Sequence, residues 1–268
     1  MGLIRTPWTQ QPQLPTGVAA KFLNYKPTFV AVPSRRSLDL ASNRALTAVG
    51  GTTVAGGAFT FDGVDDQIDA AAGVLSAHNA WTVVAIAQQT VFNNIYPFLF
   101  GWDTASAGAT RRALAMSSDD AYNDIGIGSV AGTQTARQFF LPTGTTTQRH
   151  QYVFQARGSA NGDLYCWADG LVLSEASLNL FGAVPTGNTI GHNTPTPAAN
   201  NRWVGRIELV VLFDSILPEA LCQELSINPW QIFAPVQRQL WVPDAAVGGT
   251  FKPQFSNQSG VVIGAGVI

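Results

Sequence analysis

Apolar residues in this chain recur in short runs, and several runs are bounded by Asn-Gly or Asp-Gly pairs. Trp81–Ala87 is β-branched and free of breakers, which predicts a strand. Gln151–Ala156 alternates large and variable positions. Asn161-Gly162 then marks a tight turn, because a two-residue hairpin loop needs positions that tolerate positive φ. Asp163–Ala168 follows, Asp169-Gly170 marks a second hairpin, and Leu171–Leu173 completes a predicted three-stranded meander. The longest predicted strand is Arg202–Phe213. Strict alternation puts Ile207, Leu209, Val211 and Phe213 on one face and Arg206 and Glu208 on the other. That second face turns apolar at Val210, so the later half of the strand is expected to be covered on both sides.

One helix is expected. Pro218 suits a first turn, Leu217, Leu221 and Leu225 recur at i+4, and Asn228-Pro229 ends the run. Its shortness predicts a surface element. Residues 1 to about 20 read as an extended arm, since Pro7, Pro12 and Pro15 fix φ and remove donors. Residues 244–268 read as a second, glycine-rich arm. Its apolar close, Val261–Ile263 and Val267-Ile268, is expected to dock on its own sheet or on a neighbouring subunit. Residues 21–243 then form one domain. Within it residues 20–36, with Phe22, Tyr25, Phe29 and Val30, fit either a strand or a packed loop. No internal repeat points to a propeller or solenoid.

Charged residues make up only 12% of the 268 residues, so Gly (26 of them), Thr, Ser, Asn and Gln supply the polarity. Such a surface suits turn-rich β structure in lasting contact with other proteins. The net charge is −2, and the basic residues come at most in pairs, Arg35-Arg36 and Arg111-Arg112. That argues against nucleic-acid binding by phosphate neutralisation. No run of 18 apolar residues predicts a membrane span, and Met1–Pro15 lacks the basic start and apolar block of a secretory signal. Cys166 falls in a strand and Cys222 in the helix, so both are expected to be free, buried packing residues of a protein folded in a reducing cytoplasm.

Several segments, in order, resemble laminin-G-like, concanavalin-A-like jelly-roll domains. Ser37–Asn43, with Gly57–Ile68 after it, is similar to the "DLSGN" turn and "FDGVDDYV" strand-turn-strand that open such domains. Trp81–Ala87 looks like the next core strand, and Gln151–Leu173 resembles the meander that turns at "V-D-G". Asn188–Gly191, with Trp203–Ile207 and Phe213, resembles the closing "IG…F-x-G-x-I-D-x-V" pattern, which a short helix follows. The resemblance covers roughly residues 37–227. It implies an all-β fold: an antiparallel two-sheet jelly-roll sandwich with one short C-terminal surface helix and two extended arms. A narrower resemblance lies at the ends. Leu3–Pro12, and Ile227–Pro235 with Arg238 and Trp241, are similar to the openings and closings of jelly-roll proteins of tailed bacteriophages and prophages.

Candidate chemistry is sparse. Asp62, Asp65, Asp66 and Asp69 form the densest acidic group. They suit either Ca²⁺ or a turn whose carboxylates cap the backbone, and the EF-hand pattern is absent. The four glutamates, Glu175, Glu208, Glu219 and Glu224, make no glycosidase strand motif. Carboxylate pairs drawn from Asp103, Asp119, Asp120 or Asp124 have no motif either. His78, His150 and His192 sit beside no recognisable nucleophile, and Gly126–Gly132 lacks the Lys-Ser/Thr of a phosphate loop. Catalysis is therefore not expected. Glycan contact has weak candidates in Trp102, Asp103, His192, Asn193 and Asn200, on loops that by analogy share a rim, although core and turn roles explain the same residues. The aromatic and apolar residues Trp8, Trp230, Trp241, Phe251, Phe255 and Val262 are candidates for assembly contacts.

The leading expectation is a non-catalytic structural or adhesion protein of a phage particle, on the tail or baseplate rather than the head. It is oligomeric, with a trimer favoured, and contacts other virion proteins and host-surface polysaccharide. A lectin-like module outside a virion and a polysaccharide depolymerase are the alternatives.

Overall fold

The computed structural model describes residues 19–25, 27–33, 39–42, 44–70, 80–90, 98–103, 111–116, 124–131, 133–140, 147–157, 164–173, 187–191 and 202–233. Two antiparallel sheets dominate. The first contains β1 (Pro27–Ala31), β3 (Thr53–Ala55), β4 (Ala58–Asp62), β6 (Trp81–Gln89), β11 (His150–Ala156), β12 (Leu164–Ala168), β13 (Leu171–Val172) and β15 (Val204–Phe213). Its order is β13-β12-β11-β6-β15-β4-β3, with β1 alongside the far half of β15. The second contains β2 (Leu46–Val49), β5 (Gln67–Ala70), β7 (Phe98–Asp103), β8 (Arg111–Met116), β9 (Asp124–Ala131), β10 (Thr133–Phe140) and β14 (Gly187–Ile190), in the order β10-β9-β8-β7-β14-β5-β2. Helix α1 (Ala20–Leu23), helix α2 (Glu219–Ile227) and a 3₁₀ turn at Pro229–Ile232 complete the described chain.

Two apolar layers hold it together. Between the sheets lie Phe59, Phe61, Ile68, Trp81, Val83, Ala85, Phe100, Tyr152, Phe154, Cys166 and Ile190. On the outer face of the first sheet, Val84, Ile86, Val153, Trp167, Val211 and Phe213 meet Phe22, Leu217, Cys222, Leu225 and Ile232 of the helical segments. Alternate residues of β6 and β11 feed opposite layers, which is why Val83–Ala87 and Tyr152–Phe154 are apolar without interruption. Cys166 and Cys222 are free and buried, one in each layer.

The predicted meander is present as β11-β12-β13. Asp169 (φ 49°) and Gly170 (φ 87°) form its second turn, with both residues in the left-handed region that a type I′ hairpin requires. The first turn, Asn161-Gly162, lies outside the described residues. The facing of β15 departs from expectation. Ile207 pairs with Ala87 and Leu209 with Ile86, so Glu208 is an inserted bulge residue. Ile207 therefore faces the inter-sheet layer with Val210 and Leu212, while Leu209, Val211 and Phe213 face the helices. The second half of the strand is covered on both faces.

Residues 20–36, ambiguous in sequence, open with α1 and β1. Phe22 packs on Phe213, their ring centroids 6.2 Å apart. The "DLSGN"-like segment works through Asp39, whose buried carboxylate accepts from Val30 N (2.7 Å), Ala41 N (2.9 Å) and Ser42 Oγ. It thereby closes both the free edge of β1 and its own turn. Helix α2 begins one residue later than expected, with Pro218 at the N-cap position. It is seated on the sheet by Gln155, which donates to Leu217 O (2.8 Å) and Thr82 Oγ1 (3.1 Å). Trp230, a candidate for assembly contacts, lies in the domain and not in either arm. It lies half-buried in the 3₁₀ turn, 6.0 Å from the Phe233 ring, because that turn roofs the outer layer. Ala19 N donates to Ile232 O at 2.7 Å, so the described chain enters and leaves at one point.

Candidate functional site

The acidic group of the β4–β5 turn adopts the capping arrangement. Asp62 Oδ1 accepts from Val64 N (2.7 Å) and Asp66 Oδ2 from Asp62 N (2.7 Å). Asp66 Oδ1 faces the backbone of Gly51. Burial pushes the Asp66 carboxyl above its ordinary range; the amide bonds oppose that shift, and the charges of Asp62 and Asp65 add to it. Asp62, Asp65 and Asp66 each bring an oxygen within 4.8 Å of the others. Calcium takes about six to eight oxygens, so three carboxylates, two of them already capping amides, explain a turn without specifying a metal.

The other acids are engaged one by one. Glu208 is gripped side-on by Arg149, with Nε–Oε1 and Nη2–Oε2 both at 2.7 Å. Glu219 lies 3.7 Å from Arg157, and Glu224 lies 3.4 Å from Lys21. His150 Nδ1 stands 2.6 Å from Asp169 Oδ2, a contact that ties the start of β11 to the β12–β13 turn. A carboxylate held through both oxygens by a guanidinium is poorly suited to carry a proton to a leaving group.

Of the five glycan candidates, two lie among the described residues. Trp102 and Asp103 are paired strand residues of β7 rather than loop residues, opposite Asn188 and Gly187 of β14. His192, Asn193 and Asn200 themselves lie outside the described residues, as do Trp8, Trp241, Phe251, Phe255 and Val262.

Sequence reasoning missed a polar lane on the outer face of the first sheet. Beyond the helices, Thr53, Thr60, Arg206 and Gln88 stand opposite one another across β3, β4, β15 and β6. Arg149, just before β11, and Glu208 flank this row. Arg206 Nη2 donates to Gly56 O (2.8 Å) and Ala55 O (3.3 Å), and Gln88 Nε2 donates to Thr147 O (3.1 Å). Only the shared face of Arg206 and Glu208 was legible in advance. Their partners are too distant in sequence for any local pattern to reveal them.

No protein-family model matches the chain, and no curated protein matches it. Solved structures do. The chain is similar to domain 4 of AbnA, a GH43 extracellular arabinanase from Geobacillus stearothermophilus, solved in complex with arabinotriose. That match has 16% identity and a TM-score of 0.56, over 75% of this chain and 98% of that domain. It is also similar to Trypanosoma rangeli sialidase, with 13% identity and a TM-score of 0.60 over 87% of this chain. A third likeness is to the binding domain of botulinum neurotoxin serotype C1, with 10% identity and a TM-score of 0.59 over 82% of this chain. The chain spans 36% of the sialidase and 55% of the neurotoxin chain. At these identities the likeness is one of fold, and it agrees with the two-sheet sandwich.

Proposed function

We propose that this chain is a non-catalytic, glycan-recognising β-sandwich carried on a bacteriophage particle. The observation that carries the glycan reading is the match to arabinanase domain 4 over 98% of its length, a domain solved with an arabino-oligosaccharide bound. The non-catalytic part is supported by the engagement of Glu208, Glu219 and Glu224 in separate ion pairs. The particle reading rests on the two phage-like ends of the sequence, Leu3–Pro12 and Ile227–Pro235. A glycan array, run with calcium and with a chelator, is expected to return a restricted set of bound sugars; a blank array in both conditions would refute glycan recognition. Mass spectrometry of purified particles of the encoding phage should detect the chain at a fixed copy number, and its absence would refute the particle assignment. Release of new reducing ends from host capsule or lipopolysaccharide would make it a depolymerase instead.

A further inference from the structure

We propose that the polar lane is the contact surface for an acidic, carboxylated glycan strand, with Arg206 as its specificity-determining cation; this rests on the glycan reading above. The outer face of the first sheet divides in two. One half is apolar and roofed by α1, α2 and the 3₁₀ turn. The other half carries Thr53, Thr60, Arg206, Gln88, Arg149 and Glu208, all exposed or half-exposed. Three inter-strand steps of about 4.8 Å give the row a length of about 14 Å, enough for a short oligosaccharide laid across the strands.

Charge selects the ligand. Glu208 is neutralised by Arg149 through both oxygens. Asp62, two residues beyond Thr60 on β4, turns one oxygen to Val64 N–H. Among the described residues, Arg206 is held by two backbone carbonyls and by no carboxylate. Carbonyl dipoles fix the guanidinium without cancelling its charge, and they occupy Nη2 alone, leaving Nε–H and Nη1–H as donors. The carbonyls that hold Arg206 belong to the β3–β4 hairpin, whose Gly56 (φ 53°) and Gly57 (φ 76°) both take the positive φ of a tight turn. A sugar carboxylate meeting those donors forms charge-assisted hydrogen bonds, while Thr60, Thr53 and Gln88 address hydroxyls.

The test uses the full chain with trigalacturonate, its carboxyl-reduced neutral analogue, and inorganic polyphosphate of matched charge. Calorimetry should show trigalacturonate binding that weakens with added NaCl, with the neutral analogue weaker. Arg206→Gln, which removes one charge-assisted contact, and, independently, Gln88→Glu, which sets a competing carboxylate opposite Arg206, should each reduce it about tenfold or more. Arg206→Lys should recover part of it. Gln88→Glu leaves the Arg206 anchor in place, so it remains informative if Arg206→Gln fails to fold. Unchanged affinity in a folded variant overturns the proposal, as does polyphosphate binding equally well. If the chain binds array glycans but not trigalacturonate, the lane assignment fails and the glycan reading stands; if it binds no glycan at all, both fail.

Discussion

Gly205 provides the sharpest test of how the first sheet is assembled. It lies in β15, between Phe61 of β4 and Gln89 of β6, with φ +143°, a conformation L side chains rarely adopt. A Cβ there would stand 2.1 Å from the carbonyl oxygen of Gln88 and 3.0 Å from Gln89 Cα, both backbone atoms of the central strand. Neither can swing aside as a flexible side chain would. Gly205→Ala therefore carries backbone strain of about 1–3 kcal/mol. To relieve the overlap β15 must also back away from β6, weakening about two ladder bonds worth about 1 kcal/mol each. A loss of about 3–5 kcal/mol corresponds to a fall in Tm of roughly 6–20 °C for a domain of this size. Circular dichroism melts of the wild type and Gly205→Ala would measure it. Gly51→Ala is the control, since its φ is not positive and its nearest neighbour is a side-chain oxygen at 3.3 Å. A Gly205→Ala melt within about 3 °C of wild type, or one no lower than the control, would refute the close-approach argument.

Removing the Asp39 carboxylate with Asp39→Ala should cost about 2–4 kcal/mol in chemical denaturation, because it strands the buried Val30 N–H. Asp39→Asn, which keeps the acceptor, should cost about 1. Neither thiol should react with a disulfide reagent in the native protein, and both should react after denaturation: burial raises the Cys166 pKa well above its usual value and pushes that of Cys222 up to about 12. Burial also raises the Asp66 and Asp69 carboxyls above their ordinary value of 3.8. The folded state then holds these protons longer than the unfolded state, so their contribution to stability is greatest at low pH and falls as pH rises through the window just above 3.8. Asp66→Asn, a neutral mimic, should flatten that part of the stability–pH curve, and an unchanged slope would count against the burial argument.

Strands that bury both faces were legible in sequence because they have no choice of residue. Val83–Ala87, Tyr152–Phe154 and Leu209–Phe213 are apolar on successive positions, and the strands around them could be assigned without any partner. The strands β8 and β10 were not, since runs such as Thr133–Phe140 mix polar and apolar residues and gain strand identity only by pairing with neighbours, whereas Gly126–Gly132 already read as a strand and turn. The bulge at Glu208 was hidden for a related reason. Where residues on either side of it are apolar, a one-residue slip leaves the composition of both faces unchanged in kind. Asp39 was visible only as part of a turn-like motif, because its chief partner, the Val30 amide, belongs to a strand the sequence left ambiguous. The polar lane was the least legible feature. Arg206 and Gln88 are adjacent only through register, and Arg149 reaches Glu208 across 59 residues of chain.

The bulge itself separates the two halves of that outer face. Without Glu208, β15 would alternate strictly, with Arg206, Leu209, Val211 and Phe213 outward and Ile207, Val210 and Leu212 inward, the facing the structure already has. Ile207 already pairs with Ala87 and Leu209 with Ile86, neighbours on β6, so the ladder would close over the gap. Glu208 is thus an insertion the fold does not need for facing, placed at the junction of the helix-covered layer and the polar lane. What it adds is a carboxylate that fixes Arg149. Bulges that re-aim a side chain cluster at functional positions. Deleting Glu208 should leave one cooperative unfolding transition, with stability lowered by about 1 kcal/mol or less for the lost exposed ion pair. It should also release Arg149, whose guanidinium would exchange freely in an arginine side-chain NMR spectrum. A deletion variant that cannot fold would show instead that the inserted residue sets the twist of β15, and that its carboxylate is incidental.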